Sequence, residues 1–505
     1  MMLLNAIHSV ARKSKTVFYG IRTKHCSLST AELFFQHHRE DRFLRYDMIV
    51  RLLAIENYYG LNEYGFDLYY KMQKARNGKS HADKAVDVFK SLIDSYENNG
   101  YDEKSEIELD ANLNLIDGSH RMALAFYYKI PTISVKIRPY ITDILYGMEW
   151  FRINGFSDNE CEILKGKYQE VRVQNMTPFI CTLWHPAREY FEEITQNLSL
   201  FGSIKEIKDF NLSKWDYQFY TRGIYAVDDI EKWKIEKKLE YMQSLGTETY
   251  QLRMISLEIN DPMFRLKSNR KTLSRRCEQI KKQIRDAYMH KIDGYFYDII
   301  MHIGDNFYQN RCIYQLLNMP PIDVKLILEH IQGYNYVITK LDSPYIPKDF
   351  PVHYPLGKDI DIICADKEEY NKILGTVEND VKMYETSYHI RQVKYNDQDN
   401  HEYRSLIRLE QEGHVLVLQF DISCKIGGLS PDFLNEMIEA RKKNNVFYVP
   451  SIDYELICRL NEICNTKNKR HHIDFVRKHI DDLDYTLCER FLNKRAKKLL
   501  QEIMQ

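Results

Sequence analysis

The stretch Asn114-Leu-Ile-Asp-Gly-Ser-His-Arg-Met-Ala123 decides how the first part of this chain is read. A short apolar strand, Asn112 to Ile116, runs into Asp117-Gly118-Ser119-His120-Arg121, and the pattern predicts a helix at once, from Met122 to Tyr128. A small-residue turn ahead of a helix leaves backbone N–H groups free, and the helix dipole favours negative charge there. His120 and Arg121 add cationic donors at the same point, and a guanidinium fork matches phosphate oxygens. The local physics therefore predicts a phosphate site. Around it, helical periodicity covers Thr30 to His38, Arg42 to Tyr58 and Lys84 to Asn98, and a strand from Thr132 to Ile137 follows. That order of elements gives a compact α+β block over residues 32–170.

A second stretch, Gly357-Lys358-Asp359-Ile360-Asp361-Ile362-Ile363, predicts metal-bound phosphate. Asp359 and Asp361 alternate with isoleucines on an expected strand, so their carboxylates share one face, about 7 Å apart. Such a pair can share Mg²⁺ with triphosphate oxygens. A third acid should come from a neighbouring strand. Asp421 qualifies, because Val415-Leu-Val-Leu-Gln-Phe420 runs straight into it. Gly357 lets the backbone approach phosphates closely, with Lys358 beside it. These residues belong to a block over 322–450, which begins with a helix (Asp323 to Gln332) and the strand Tyr336 to Thr339 and includes an expected hairpin around Glu412-Gly413. A helical tail, 451–505, follows.

Between these blocks, residues 175–315 read as an α/β unit with a largely parallel sheet, whose ligands would sit at strand C-terminal ends. One strand there ends at Trp184-His185-Pro186 and another leads into His302-Ile-Gly-Asp305. His302 and Asp305 are read as metal ligands or an acid/base pair. The whole is thus a multidomain α/β and α+β chain, as its 505 residues require.

Bulk composition narrows the function classes. Lys+Arg of 71 against Asp+Glu of 72 gives a formal charge of −1, which disfavours bulk nucleic-acid binding. Ten scattered cysteines form no CxxC pair, so reduced thiols of a cytoplasmic protein are expected and a zinc ribbon is not. Residues 1–31 carry no acid and five Lys or Arg. They read as a solvated basic arm, with peripheral membrane contact as the alternative.

The two motifs carry two family resemblances. Asp117-Gly-Ser-His-Arg121, followed by Ala123, Ala125 and Ile130-Pro131, resembles the ParB/sulfiredoxin superfamily over about residues 45–140. That family binds nucleotide phosphates at this turn, and one branch is a free-serine kinase. The resemblance implies that Asp117, Gly118, Ser119, His120 and Arg121 hold phosphate. Glu56 is a candidate base for a substrate hydroxyl. The helix-turn-helix that ParB proteins carry next is not apparent. Asp359, Asp361 and Asp421 are similar to the acids of the nucleotidyltransferase fold, in the DNA polymerase beta superfamily, over about residues 325–450; the phosphocholine-transferase branch looks closer than the polymerases. The Gly-Ser pair usual in that family is replaced by Gly357-Lys358.

Together these features imply an enzyme: a Mg²⁺-dependent phosphoryl or nucleotidyl transferase using ATP, ADP or CTP. Its acceptor would be a small hydroxyl compound or sugar, and surface-polysaccharide or phospho-glycan synthesis is the expected setting. The alternatives are a nucleotide-gated regulator with a degenerate transferase domain, and a nucleic-acid-directed nucleotidyltransferase.

Overall fold

The computed structural model describes residues 23–36, 43–143, 146–228, 230–268, 271–295, 298–397, 402–465 and 470–504. Most of the basic arm, residues 1–22, lies outside them. The architecture is mixed α/β, with several small sheets among many helices. Packing divides the chain into two compact units that interleave in sequence. One comprises Met1–Phe210 and Gln251–Arg311, the other Asn211–Tyr250 and Cys312–Gln505.

In the first unit, β1 (Lys24–Ser29), β2 (Ile107–Leu109), β3 (Leu115–Asp117) and β4 (Thr132–Ile137) make a sheet of order β1-β4-β2-β3. β1 is antiparallel to β4, and β2 is parallel to β4. The last residues of the expected N-terminal arm are therefore an ordered strand, and Ser29 caps the short helix Thr30–Phe34 through the Glu32 amide. The helix Tyr46–Tyr58 is buried along nearly its whole first two turns, including Asp47 and Arg51. Those two charges are tolerated because they are paired: Arg51 Nη1 lies 3.0 Å from Asp47 Oδ2, and Arg45 Nε lies 2.9 Å from Oδ1.

A second sheet of this unit contains β5 (Phe179–Trp184), β6 (Ser203–Leu212), β7 (Tyr250–Glu258) and β10 (Met301–Ile303), in order β10-β5-β7-β6. It corrects the expectation of a parallel sheet: β10 is antiparallel to β5, and β5 to β7. Apolar runs bounded by helices cannot distinguish the two, because a strand buried on both faces looks alike in either. β5 is buried at every residue. A hairpin of β8 (Phe264–Ser268) and β9 (Lys271–Ser274) precedes the helix Arg275–Tyr288.

In the second unit, β11 (Tyr336–Thr339), β12 (Lys358–Cys364), β13 (His389–Asp397), β14 (Glu402–Gln411) and β15 (Val415–Ser423) form one sheet, order β11-β12-β15-β14-β13. β12 and β15 are parallel, joined by a crossover through the helix Lys367–Val381 and the β13–β14 hairpin. β12 alternates as its sequence predicts: Ile360 and Ile362 are buried while Asp359 and Asp361 are only partly so. Helical periodicity predicts a helix over Pro431 to Asn444, but the helix stops at Glu439, and Lys442–Asn444 pairs as a strand with Phe447–Val449. The C-terminal helices are no separate tail. Leu456, Ile457, Leu460, Phe475 and Val476 join Val337 of β11 and Phe433 in one core.

Candidate functional site

β12 and β15 set the site by their register. Asp361 lies opposite Asp421 across the parallel pair, and Asp359 opposite Gln419. Residues two apart share a face, so three carboxylates meet at one junction; ligand oxygens of Asp359, Asp361 and Asp421 all lie within 4.8 Å of one another. Gly357 closes the approach to β12. Its φ of +72° is a left-handed backbone, and a Cβ there would stand 2.9 Å from Phe219 Cδ2. Its N–H donates to Val417 O, holding the strand start against β15.

The neighbouring charges balance the triad unevenly. Lys340, just after β11, places Nζ 3.2 Å from Asp361 Oδ1 and 3.0 Å from Glu462 Oε2. Arg404, on β14, grips Asp421 with both ends of its fork, Nε to Oδ1 at 2.9 Å and Nη2 to Oδ2 at 2.5 Å. Asp359 has no ion-pair partner among the described residues. Burial pushes the Asp361 carboxyl up to about 7; Asp359 and Asp421 add to that, and Lys340 opposes it. Three acids crowded at a half-buried edge are a hard-oxygen donor set, which suits Mg²⁺ in both ligand type and charge.

Sequence reasoning missed Lys340, Arg404, Glu462 and Tyr345. Lys340 sits at φ +66°, an unusual backbone for a lysine, and its N–H donates to Glu455 Oε1 at 2.9 Å. Its only sequence signal is a cation directly after the apolar Tyr336–Thr339 strand. Burial raises the Tyr345 hydroxyl's pKa, and Asp359 and Asp361 raise it further. The Tyr345 ring packs edge-on to Trp215 at 6.2 Å and lies under Lys358, whose Nζ is 5.0 Å from the ring centroid. Lys358 also lines a cavity of about 320 Å³ with Trp215, Phe219 and Gly357.

In the first unit, the expected turn forms, one turn of helix early. The helix is Ser119–Tyr127, its N-cap is Gly118 at φ 92°, and no side chain caps it. A Cβ on Gly118 would meet Arg121 Nη2 at 3.1 Å and Ile107 Cγ1 at 3.2 Å. Two expectations need correction here. His120 is no cation: burial, with Arg51 and Arg76, holds its pKa well below 6.5, and Nε2 sits 2.6 Å from Tyr69 Oη. Arg121 Nη1 is already bound to Ser105 Oγ at 2.7 Å and Glu106 O at 2.8 Å, leaving Nη2 3.4 Å from the exposed Asp117 carboxylate. Glu56 pairs with Lys167 and adds to burial in raising the Tyr127 pKa, so it sits by the far end of the helix that carries the turn.

His302 and Asp305 do not gather at a parallel-strand terminus, since β10 is antiparallel to its neighbour. His302 is buried, and both Asp305 oxygens face lysines, Lys281 at 2.9 Å and Lys267 at 2.7 Å. Burial alone would raise the Asp305 carboxyl; the lysines hold it below its usual range, as in a structural ion pair. The structure thus brings Asp359, Asp361, Asp421, Gly357 and Lys358 together, assembles Asp117–Arg121 separately, and leaves Glu56, His302 and Asp305 outside both. Comparison of the chain with protein-family models, curated proteins and solved structures finds no match in any of the three.

Proposed function

We propose that the second unit is a divalent-cation-dependent transferase of nucleotidyl or phosphoryl groups, from ATP, ADP or CTP to a small hydroxyl or sugar acceptor. The observation that carries this reading is the convergence of Asp359, Asp361 and Asp421 within 4.8 Å on two parallel strands in register. These three carboxylates would hold Mg²⁺. Bound there, the ion neutralises phosphate charge and fixes the in-line geometry of transfer. Lys340 orients Asp361 from one side and Arg404 orients Asp421 from the other. Both cations are within reach of an incoming phosphate once its charge competes for them. Lys358 and Tyr345 line the approach, where a ring-bearing substrate can stack.

In the first unit we propose nucleotide-phosphate binding at the Asp117–Arg121 turn, supported by the uncapped helix N-terminus behind Gly118. A chain with both sites fits kinase and nucleotidyltransferase steps in phospho-glycan or surface-polysaccharide synthesis. One observation favours a second reading, a nucleotide-binding regulator: Lys340 and Arg404 already engage oxygens of Asp361 and Asp421.

³¹P NMR of the chain with Mg²⁺, each nucleotide and pooled polyol, sugar and amino-alcohol acceptors separates these. A new ester or diphosphate signal that disappears in Asp361→Asn supports transfer. Nucleotide-dependent stabilisation without any acceptor-dependent signal assigns the regulator.

A further inference from the structure

A cleft in the first unit shares no lining residue with the acidic triad or the Asp117–Arg121 turn. It has a volume of about 740 Å³ and is lined by Lys24, Arg138, Arg265 and Arg275 together with Asn112 and Pro139, and among the described residues no carboxylate lines it. That volume is in the range of small-ligand pockets. The charge pattern is unusual for this chain, which carries 71 basic and 72 acidic residues. A second basic surface of the same unit, on the helix Arg275–Tyr288, pairs its cations one by one: Lys281 with Glu278, Lys282 with Asp286 and Arg285 with Asp298. In the cleft only Arg138 is paired, to Glu108 at 2.6 Å. Lys24, Arg265 and Arg275 have no ion-pair partner among the described residues. Like charges facing one cavity repel unless an anion joins them.

The walls are pre-formed. Asp110 is fully buried and accepts from the backbone N–H groups of Asn112, Asn114 and Thr142, which fixes the loop carrying Asn112. Gln36, 5% exposed, clamps the opposite wall to that loop. Its Nε2 donates to Asn112 O at 2.6 Å and to Phe264 O at 2.7 Å, and its Oε1 accepts from Phe264 N at 2.8 Å. Arg265 follows Phe264 on β8, and Arg275 N–H donates to Met263 O at 3.1 Å, so both arginines spring from clamped backbone. A ligand therefore meets donors whose main chain is already ordered, which lowers the entropy lost on binding.

We propose that this cleft binds a small ligand carrying two or more phosphate groups. Planar guanidinium forks suit phosphate oxygens, and three uncommitted cations match the charge of a di- or triphosphate. The inference does not depend on the transferase reading, and the site shares no residue with the triad or the Asp117–Arg121 turn.

The test is titration calorimetry of the full chain in EDTA, so that no divalent ion holds phosphate at the triad. The probes are inorganic tripolyphosphate, ATP and UDP-glucose. Tripolyphosphate binding is expected to weaken at least tenfold in Arg265→Ala/Arg275→Ala and to a smaller degree in Lys24→Ala, while Lys282→Ala, on the paired basic surface, stays within twofold. Equal affinity for the three probes assigns the phosphate chain alone; tighter ATP or UDP-glucose adds a base contact, and both outcomes support the site. Three results overturn it: no binding of any probe at 1 mM, unchanged affinity in the double variant, or loss in Lys282→Ala instead. A 20-nucleotide single strand that outcompetes tripolyphosphate through the same arginines also overturns it, since the partner is then a nucleic acid. Should the double variant fail to fold, Lys24→Ala and Arg275→Gln, judged by melting temperature, carry the same comparison.

Discussion

Asp361 is where charge, burial and register meet. Asp361→Asn keeps the shape of the side chain and removes its charge, so Lys340 loses one of its two anionic partners. Turnover in the ³¹P assay is expected to fall at least about 100-fold, with the fold intact by circular dichroism. Gly357→Ala tests the backbone instead. With φ at +72° and Phe219 in the way, it is expected to destabilise the chain by more than about 1 kcal/mol in urea unfolding. A third residue makes a pH prediction in the first unit. Glu32 is 3% exposed, and burial pushes its carboxyl from 4.5 to about 7, against hydrogen bonds from Thr272 and the Phe307 amide that favour the charged form. Between those two values the unfolded chain has released the proton that the folded chain keeps. Stability therefore falls as pH rises through this window, by about 3 kcal/mol in all, and levels off above it. Glu32→Gln should flatten that part of the profile in urea titrations from pH 4.5 to 8.5; an unchanged slope would exclude Glu32 as its source.

At the scale of elements, the strand pair β12 and β15 explains why part of the site could be read in advance. Alternation of Asp359 and Asp361 with isoleucines, and an apolar strand ending at Asp421, are local patterns of period two. The cross-strand facts were out of reach. Nothing near Arg404 signals that β14 will lay it over Asp421, and Lys340 is separated from Glu455 and Glu462 by more than a hundred positions. The same limit explains the middle sheet, where antiparallel pairing follows from connections that strand composition does not encode. His302 and Asp305 were chosen because that sheet was expected to be parallel, and they lost their rationale with it. The turn at Gly118 was legible because glycine, helix start and apolar strand are consecutive, whereas the lowered His120 pKa comes from burial and from Arg51 and Arg76 on other helices. One prediction belongs here. The helix Ile452–Asn465 supplies Glu455, which binds both the Lys340 amide and Arg459, a fully buried guanidinium. Glu455→Ala leaves that charge without its carboxylate and is expected to cost about 3 kcal/mol or more of stability, measured by urea unfolding.

For the whole molecule, the two units interleave in sequence, and cutting the chain at the block boundaries suggested by the pattern of elements does not separate them. Residues 211–250 belong with 312–505. In that unit Gly223 packs against Leu316 and Val415, and Phe219 fills the space over Gly357. A fragment of 312–505 alone is expected to melt without a cooperative transition, and the same fragment joined to 211–250 through a flexible linker to regain one in calorimetry. Equal cooperativity in both would show that the inserted segment is dispensable.

The interleaving also has a consequence for synthesis on the ribosome. Residues 211–250 emerge long before the strands they will pack against, since about 250 further residues must be added to finish their unit. At roughly 5–20 residues per second, that wait is on the order of 10–50 s. The helices Lys214–Ala226 and Lys232–Ser244 can pack on each other meanwhile, but the apolar surface around Phe219 and Gly223, which Leu316, Gly357 and Val415 will cover, has no native partner yet. The nascent chain thus carries a sticky segment through much of its translation, and a chaperone that holds this segment should change how much active protein is recovered more than one that acts after release.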